Sequence, residues 1–356
     1  MARAPAPVEA APEIDALEDL PLPRERRRLI GHHGAEKTLL DAYRSGRMHH
    51  GWILSGPKGI GKATLAMRFA RFVLAHGDPR LPAVERATTL DLPIDNPAFT
   101  RVAAGSHGGL LHLRRPWDEK TKRFRQDLPV DEMRRLTRFF GSTAAEGGWR
   151  IAIIDAADDL NASSANAILK MLEEPPARAL FLVLAHRPGA LLPTIRSRCR
   201  MLALRPMPVD DIVEGLIDLG LDRGTNRQVL TEAAELADGS LRRAILLIRS
   251  GGIAHARQVA AMVEALPRLD PGAIQSLADK IAARNADDLW DIGLDALRDS
   301  VAHRLKATAT LAGAAALAEA MAAVERDIAQ SDALNLERKA AFVAAMRTLA
   351  AACGQA

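Results

Sequence analysis

Short runs of consecutive apolar residues alternate with longer segments of helical periodicity through the first two hundred residues of the chain. Runs that lack a polar face are typical of strands buried on both sides. We therefore predict strands at 52–54, 110–113, 151–155, 180–185 and 201–204, and helices at 30–43, 62–75, 130–140 and 162–174. Strands and helices that alternate in this way indicate an α/β domain, with a parallel sheet covered by helices on both faces.

A proline-containing linker at 205–208 ends this alternation, and every later segment has helical periodicity alone. Helices predicted at 209–219, 227–237 and 240–248 would form a small helical domain, and those between 254 and 352 a further all-α bundle. Asp270 followed by Pro271 predicts one helix start, because aspartate caps a helix and proline suits its first turn. The predicted domains are 24–206, 207–252 and 253–356.

Two segments lack a hydrophobic period. Residues 1–23 are rich in Ala, Pro and Glu, and we predict a disordered tail. Residues 77–109 hold several prolines and glycines, and we predict a loop there, although a loop of that length is unusual in a compact domain.

Composition narrows the class of protein. Hydrophobic residues make up 48% of the 356 residues and charged residues 26%, which is typical of a soluble globular protein. The chain has no stretch of about 18 apolar residues and no apolar core of the signal-peptide type, so we expect a cytoplasmic protein. Two cysteines, Cys199 and Cys353, cannot supply a disulfide framework or a cysteine zinc site. The net charge of +4 is compatible with nucleic-acid binding but does not indicate it.

The strongest chemical signal is a glycine-rich turn between a predicted strand and a predicted helix. Gly56, Gly59, Gly61 and Lys62 fit the pattern G-x-x-x-x-G-K, in which backbone N–H groups surround phosphate oxygens and the helix N-terminus adds its positive end. Lys62 would reach the β- and γ-phosphates. The next position normally holds a hydroxyl that binds Mg²⁺, but here it is Ala63.

Thr64 lies one residue beyond that position, about 100° further around the helix, and is a poor replacement. Asp155, at the end of a buried strand, stands where a carboxylate orients Mg²⁺ and its water. The following Ala156 cannot activate water as a glutamate would. Without the phosphate loop, a capping carboxylate would explain Asp155 equally well. Asp158 and Asp159 are predicted to belong to a turn before the next helix.

Two other polar features are less specific. The histidine pairs 32–33 and 49–50 do not predict a metal site, because adjacent side chains point in different directions. The basic run 120–125 suits a nucleic-acid contact, but a solvated loop face explains it better. No metal ligand set is predicted.

Further motifs identify a family. The run 166–176, which ends in Leu-Glu-Glu-Pro-Pro, is followed by Arg-Ser-Arg-Cys at 196–199, and both resemble the clamp-loader branch of the AAA+ superfamily. Residues 50–62 and 239–244 resemble the same branch. The resemblance covers about 30–250 well and the C-terminal helices more loosely, where 335–339 resembles the last collar helix. It implies an AAA+ nucleotide-binding domain, a helical lid and an oligomerisation collar.

Two bacterial subunit types of DNA polymerase III compete within that branch. Gamma/tau motor subunits have a phosphate-loop threonine, a glutamate after the strand-end aspartate and a cysteine zinc module. Delta-prime subunits have lost part of this hydrolytic set. Ala63, Ala156 and the absence of cysteine from 77–109 make the chain similar to delta-prime.

The resemblance to delta-prime implies a non-motor stator subunit. Arg198 would be an arginine finger that acts in trans on ATP held by a neighbouring motor subunit, and Arg242 would approach a nucleotide bound in its own chain. The resemblance further implies a hetero-pentamer with gamma/tau and delta subunits, and contact with a sliding clamp and primed DNA through that complex. ATP or ADP is the expected ligand of the phosphate loop, with weakened Mg²⁺ binding and no zinc.

Such a chain belongs to a polymerase holoenzyme but does not polymerise, and it has weak or no ATPase activity of its own.

Two alternatives remain open from the sequence. The first is a hydrolysing AAA+ ATPase, either a gamma/tau-like motor or another remodeller. The second is a nucleic-acid-binding scaffold, for which salt-sensitive DNA binding by the isolated chain would be the sign.

Overall fold

A computed structural model describes residues 12–14, 16–125, 127–141, 148–334 and 336–354. The chain divides into two compact units, Met1–Met207 and Pro208–Ala356. This division lies one residue from the boundary that the sequence predicts after residue 206. The first unit is α/β, and the described elements of the second are helices.

A five-stranded parallel sheet forms the centre of the first unit. The strands lie in the order β2-β5-β6-β1-β7. Their bounds are β1 Gly51–Ser55, β2 Leu110–Arg114, β5 Arg150–Asp155, β6 Ala179–Ala185 and β7 Arg200–Ala203. Each lies within one residue of its predicted position, so the predicted parallel sheet is confirmed. Since the strands are parallel, all their carboxyl ends meet at one edge.

Alternate side chains of the sheet pack against helices on opposite faces. Trp52 and Leu54 of β1 belong to one apolar cluster, whereas Ile53 belongs to the other. The first face carries α1 (His33–Arg44) and α2 (Lys62–His76), and the second carries α5 (Val130–Gly141), α6 (Ala162–Glu173) and α7 (Pro193–Arg196). Burial on both faces explains why the inner strands β1, β5 and β6 lack a polar period.

Helix α6 begins and ends where its sequence predicts. The side chain of Asn161 accepts a hydrogen bond from the N–H of Ser164, so it caps the first turn, as asparagine commonly does. The helix ends at Glu173, directly before Glu174 and two prolines that cannot continue it.

The segment 77–109 is not the structureless loop that the sequence predicts. It contains two short helices, α3 (Pro82–Arg86) and α4 (Pro97–Ala103). Each begins with a proline in its first turn, and Asn96 caps α4. The prolines that indicated a loop therefore start helices here. Buried apolar side chains fasten the segment to the first core cluster: Val84, Leu90, Leu92, Phe99 and Val102.

Contacts also begin earlier than residue 24, where the sequence predicts that order starts. Glu13 forms ion pairs with Arg24 and with Arg114, the last residue of β2. Ion pairs involve charged residues, so the pattern of apolar residues in the sequence could not predict these contacts. Residues 1–11 and 15 of the predicted disordered tail lie outside the described residues.

The basic run 120–125 belongs to a small hairpin made of β3 (Trp117–Asp118) and β4 (Arg123–Phe124). The rings of Trp117 and Phe124 pack edge to face, with centroids 5.0 Å apart. Residues 120–123 and Arg125 are exposed, as predicted for a solvated face.

The second unit is built from consecutive helices: α8 Val209–Asp218, α9 Arg227–Leu236, α10 Leu241–Arg249, α11 Ile253–Ala265, α12 Pro271–Ile281, α13 Asp287–Ala307, α14 Leu311–Ala333 and α15 Arg338–Gly354. Asp270 caps α12 by accepting hydrogen bonds from Gly272 and Ala273, as its sequence predicts. Among the described helices of the whole chain, none is long and apolar enough to cross a membrane. The predicted division between lid and collar at 252/253 stays a prediction.

Candidate functional site

The phosphate loop lies at the carboxyl edge of the sheet, between β1 and α2. Gly56, Gly59 and Gly61 have φ angles of 147°, 78° and 114°, which side-chain-bearing residues rarely adopt. A Cβ on Gly56 would also lie 2.7 Å from the carbonyl oxygen of Leu204. The loop therefore needs its glycines both for backbone conformation and for close approach to the segment that follows β7.

Lys62 points into this loop from the first residue of α2. Its side chain is buried, and its Nζ donates to the carbonyl oxygens of Gly56 at 2.6 Å and Pro57 at 2.7 Å. The structure thus holds an ammonium group inside the turn and next to the N-terminus of α2. Both features provide positive charge for an anion.

His32 supports the loop from outside, a contact that the sequence did not reveal. Its Nε2 lies 2.7 Å from the carbonyl oxygen of Ile60, so this nitrogen carries the proton and donates. His33, the other half of this pair, is the first residue of α1.

Asp155 ends β5 at the same edge of the sheet. One strand, β6, lies between β5 and β1, which puts Asp155 about 10 Å from the end of β1. Its Oδ2 is 3.6 Å from Nε2 of His112 on the neighbouring β2, an electrostatic contact too long for a hydrogen bond. Burial raises the pKa of Asp155, but His112, His186 and Lys62 outweigh it and hold the pKa below its ordinary value. The carboxylate is therefore ionised at neutral pH.

His186 follows β6 and lies in the gap between the phosphate loop and Asp155. Burial, and then the charge of Lys62, lowers the pKa of His186 to about 4, so the imidazole is neutral at pH 7. Its Nδ1 is buried and has no hydrogen-bond partner among the described residues. A lone histidine gives no pattern in a sequence, and only the strand order reveals this position.

Asp158 and Asp159 form the short turn that was predicted, a single 3₁₀ turn at Ala157–Asp159. The carboxylate of Asp158 accepts hydrogen bonds from the backbone N–H groups of His186 and Arg187. Asp159 pairs with Arg115 at 3.2 Å, while burial raises its pKa. Both carboxylates therefore have structural partners.

The donors at this edge fit a phosphate better than a metal ion. Ala63 and Ala156 supply no side-chain oxygen, and Thr64 sits half-buried one position further along α2. Asp155 is a single carboxylate that already faces a histidine. Over the ranges that the structure describes, no group of three or more His, Cys, Asp or Glu side chains is arranged to hold a metal ion.

Arg198 lies at the opposite edge of the same sheet. It precedes β7, whose Arg200 is paired with Trp52 near the beginning of β1, whereas the phosphate loop follows the end of β1. The length of a five-residue strand, about 16 Å, separates the two sites. Arg198 therefore cannot serve the phosphate loop of its own chain.

The surroundings of Arg198 join α6, α7 and the start of β1. Its Nη2 lies 2.8 Å from Oε1 of Glu173, and its Nη1 donates to the carbonyl oxygen of Thr194 at 3.1 Å. His50, beside the start of β1, has its Nε2 3.1 Å from the carbonyl oxygen of Leu172. The C-terminal end of α6 is thus fastened both to the arginine and to β1.

Close packing under Arg198 requires a glycine at position 51. A Cβ there would lie 2.8 Å from Sγ of Cys199 and 3.3 Å from the carbonyl oxygen of Arg198. Burial raises the pKa of the Cys199 thiol to about 12, so the thiol is not ionised at neutral pH. Cys199 acts here as a small, partly buried side chain packed against the second core cluster.

The prediction that the adjacent side chains of residues 49 and 50 point in different directions was wrong. The rings of His49 and His50 do not diverge but stack, with centroids 4.5 Å apart. Each ring has its own backbone partner, Gly51 for His49 and Leu172 for His50. Burial, and then the neighbouring His49, lowers the pKa of His50.

Arg242 belongs to the second unit, as the second residue of α10. Ser240 caps this helix by accepting from the N–H of Arg243, and Arg243 pairs with Asp299 of α13. The role of Arg242 toward a nucleotide stays a prediction.

Comparison with known proteins shows that the chain is similar to subunits of DNA polymerase III. The family model "DNA polymerase III, delta subunit" matches residues 31–208, which is half of the chain. The delta-prime subunit of Pseudomonas aeruginosa DNA polymerase III is 35% identical over 159 residues, which are 45% of this chain and 44% of that protein. The gamma subunit of Buchnera aphidicola is 27% identical over 237 residues, 64% of this chain and 58% of that protein.

The chain thus spans about half the length of the curated relatives that it matches. Among solved structures, the RuvB Holliday junction branch migration motor of Thermotoga maritima gives a TM-score of 0.44 at 17% identity, over 89% of this chain and 87% of that one. With its family model matched over residues 31–208, the chain belongs to the DNA polymerase III delta subunit family, and it is delta-prime-like.

Proposed function

We propose that the chain is the non-motor, delta-prime subunit of a bacterial DNA polymerase III clamp loader. It supplies Arg198 to ATP held by a neighbouring motor subunit during the ATP-dependent loading of a sliding clamp onto primed DNA. The chain binds nucleotide at its own phosphate loop without turning it over.

The observation that carries this proposal is the position of Arg198 at the amino edge of the sheet. An arginine there is about 16 Å from its own phosphate loop. Arginine keeps its charge at all physiological pH values, and its planar fork matches phosphate oxygens. Charge supplied from a second chain is a known way of stabilising phosphoryl transfer. Arg198 therefore suits action in trans.

The phosphate loop suits nucleotide binding but not hydrolysis. A bound ATP or ADP would bring phosphate oxygens to the loop N–H groups, the N-terminus of α2 and the Nζ of Lys62. To accept them, Lys62 would exchange its contacts with Gly56 and Pro57 for the phosphate. Ala63 offers no hydroxyl for Mg²⁺ and Ala156 no carboxylate for water. The chain's residues hold phosphate there but move no proton.

The remaining parts follow from the family. Residues 24–206 would be the AAA+ domain, residues 207–252 the lid and residues 253–356 the collar that joins gamma/tau and delta subunits in a hetero-pentamer. Arg242 would approach a nucleotide in this chain. Clamp and DNA would be contacted through the complex, in the cytoplasm.

A hydrolysing motor is the second candidate, and one observation favours it. Gamma and gamma/tau relatives align over 64% and 70% of this chain, more than the 45% of the first delta-prime relative. The lost hydroxyl and carboxylate at Ala63 and Ala156 weigh against it, because a motor needs both.

Nucleotide binding and turnover by the purified chain separate these candidates. We expect a fluorescent ADP analogue to bind with an affinity that Mg²⁺ hardly changes. Lys62→Ala should abolish this binding, whereas the control variant Lys58→Ala, in the same loop, should leave it largely intact. Steady-state ATP hydrolysis by the chain alone should be negligible. Tight binding that depends on Mg²⁺, or turnover lost in Lys62→Ala, would favour the motor.

A further inference from the structure

The guanidinium of Arg198 contacts residues at the end of α6, in α7 and directly after α7. One terminal nitrogen, Nη2, pairs with the carboxylate of Glu173, and the other, Nη1, donates to Thr194 and Ser197 at 3.1 and 3.4 Å. Each terminal nitrogen carries two N–H groups, so a phosphate gripped by both nitrogens competes with Thr194 and Ser197 for Nη1. At Nη2 it would lie beside the carboxylate of Glu173, and the two negative charges would repel each other.

Glu173 is an unfavourable residue for the helix that carries it. It is the last residue of α6, where the carbonyl end of the helix dipole is negative and repels a carboxylate. Helix stability therefore does not explain a glutamate at this position. The contact of Glu173 with Arg198 explains the glutamate, because opposite charges 2.8 Å apart attract.

The position of Glu173 is fixed by its neighbours. Leu172 is buried in the second core cluster, and its carbonyl oxygen contacts the ring of His50. The residues after Glu174 are prolines that end the helix. The carboxylate is thus held beside Arg198, while 49% of its own side chain and 36% of that of Arg198 remain exposed.

We propose that Glu173 is a latch for Arg198. It holds the guanidinium against its own chain until a nucleotide-bearing neighbour docks, and the phosphate then replaces the carboxylate as its partner. Glu173 is thus a positioning residue that competes with the phosphate, and this role rests on the proposed action of Arg198 in trans.

The ion pair between Glu173 and Arg198 is weak enough to be exchanged for a phosphate. Exposed ion pairs are weak, so a phosphate with several negative charges can displace the carboxylate. Removal of the latch should raise the engaged fraction of Arg198 by about two- to fivefold. Salt screens exposed pairs, so this gain should shrink as ionic strength rises.

The test compares Glu173→Gln with Glu174→Gln, which removes the same charge from the adjacent exposed glutamate. Both full-length variants are mixed with the motor subunit, and ATP hydrolysis is measured against ATP concentration. We expect Glu173→Gln to raise kcat/KM about two- to fivefold in low salt and to lose this gain in 0.5 M salt, roughly a Debye length of 4 Å. Glu174→Gln should behave as the unaltered chain does.

Equal or lower kcat/KM for Glu173→Gln would overturn the latch. A double-mutant cycle of Glu173→Gln and Arg198→Ala on thermal unfolding shows separately whether the pair exists in solution. If the pair exists but Arg198→Ala leaves ATP hydrolysis unchanged, the proposed function fails and the latch fails with it. If Arg198→Ala abolishes stimulation while Glu173→Gln changes nothing, the latch alone fails.

Discussion

A buried ion pair fixes the segment 77–109 on the first unit. Oε1 of Glu36 on α1 accepts from Nη2 of Arg68 on α2 at 2.6 Å and from the N–H of Leu90 at 3.2 Å. The two side chains are only 6% and 4% exposed. Arg68 also contacts Asp91 at 2.8 Å, but that carboxylate is 46% exposed. One arginine thus has one buried and one half-exposed partner.

The informative perturbation is Glu36→Gln, with Asp91→Asn as its matched control. Each removes one carboxylate charge from the same guanidinium. Glu36→Gln leaves the buried Arg68 with only the half-exposed Asp91 as a charged partner and costs about 3 kcal/mol, whereas the loss of a half-exposed partner costs about 1 kcal/mol or less. At about 2–4 °C per kcal/mol for a unit of this size, Glu36→Gln should lower Tm by about 6–12 °C.

Urea and thermal unfolding followed by tryptophan fluorescence report on this unit, since three of the four tryptophans lie in it: Trp52, Trp117 and Trp149. The double variant Glu36→Gln/Arg68→Met removes both charges together, keeps a side-chain oxygen for the N–H of Leu90 and should recover part of the stability. Equal losses for Glu36→Gln and Asp91→Asn would refute the claim that the buried pair holds the segment.

Three further results are expected. His32→Ala should weaken binding of a fluorescent ADP analogue severalfold, because the carbonyl of Ile60 loses its donor and the loop is less fixed. Glu13 should hold the N-terminal segment that precedes Arg24 against the first unit above pH 4.5 and release it as the pH falls toward about 2. The reason is that burial raises the pKa of Glu13, but its two arginine partners outweigh burial and lower it. Limited proteolysis across this pH range measures the release. Gly51→Ala should reduce stimulation of ATP hydrolysis by the motor subunit. A new Cβ would lie 2.8 Å from Sγ of Cys199 and would displace the segment that carries Arg198.

Controls separate these effects from general damage. His33→Ala alters the neighbouring histidine and should leave nucleotide affinity unchanged. Glu13→Gln should make the N-terminal segment protease-sensitive at every pH. Cys199→Ala in the Gly51→Ala background should restore part of the stimulation, and no restoration would show that the thiol is not the obstacle.

Local chemistry made some features of the fold predictable from sequence. The inner strands β1, β5 and β6 were recognised because each is buried on both faces. Asn161 and Asp270 cap helices as their side chains suggest. The segment 77–109 was misjudged because proline marks both loops and helix starts, and only packing decides between them.

The parts of the site that were missed depend on strand order and on long-range contacts. His186 and His112 face Asp155 because β6 and β2 flank β5, and periodicity does not give that order. The contact between Glu173 and Arg198 depends on how α6 packs beside the start of β7. The phosphate loop itself was recognised because its chemistry requires consecutive residues.

The central claim, that Arg198 acts on a neighbour's nucleotide, is tested most directly by ATP hydrolysis in a mixture of the motor subunit and this chain. The matched control is Arg196→Ala, which removes an exposed arginine two residues away on α7. We predict that Arg198→Ala lowers the stimulated rate at least tenfold, to near the rate of the motor subunit alone, since an arginine supplied in trans can contribute on the order of 10³ in rate. Arg196→Ala should keep full stimulation. Full stimulation by Arg198→Ala, with assembly of the mixture intact, would contradict the claim.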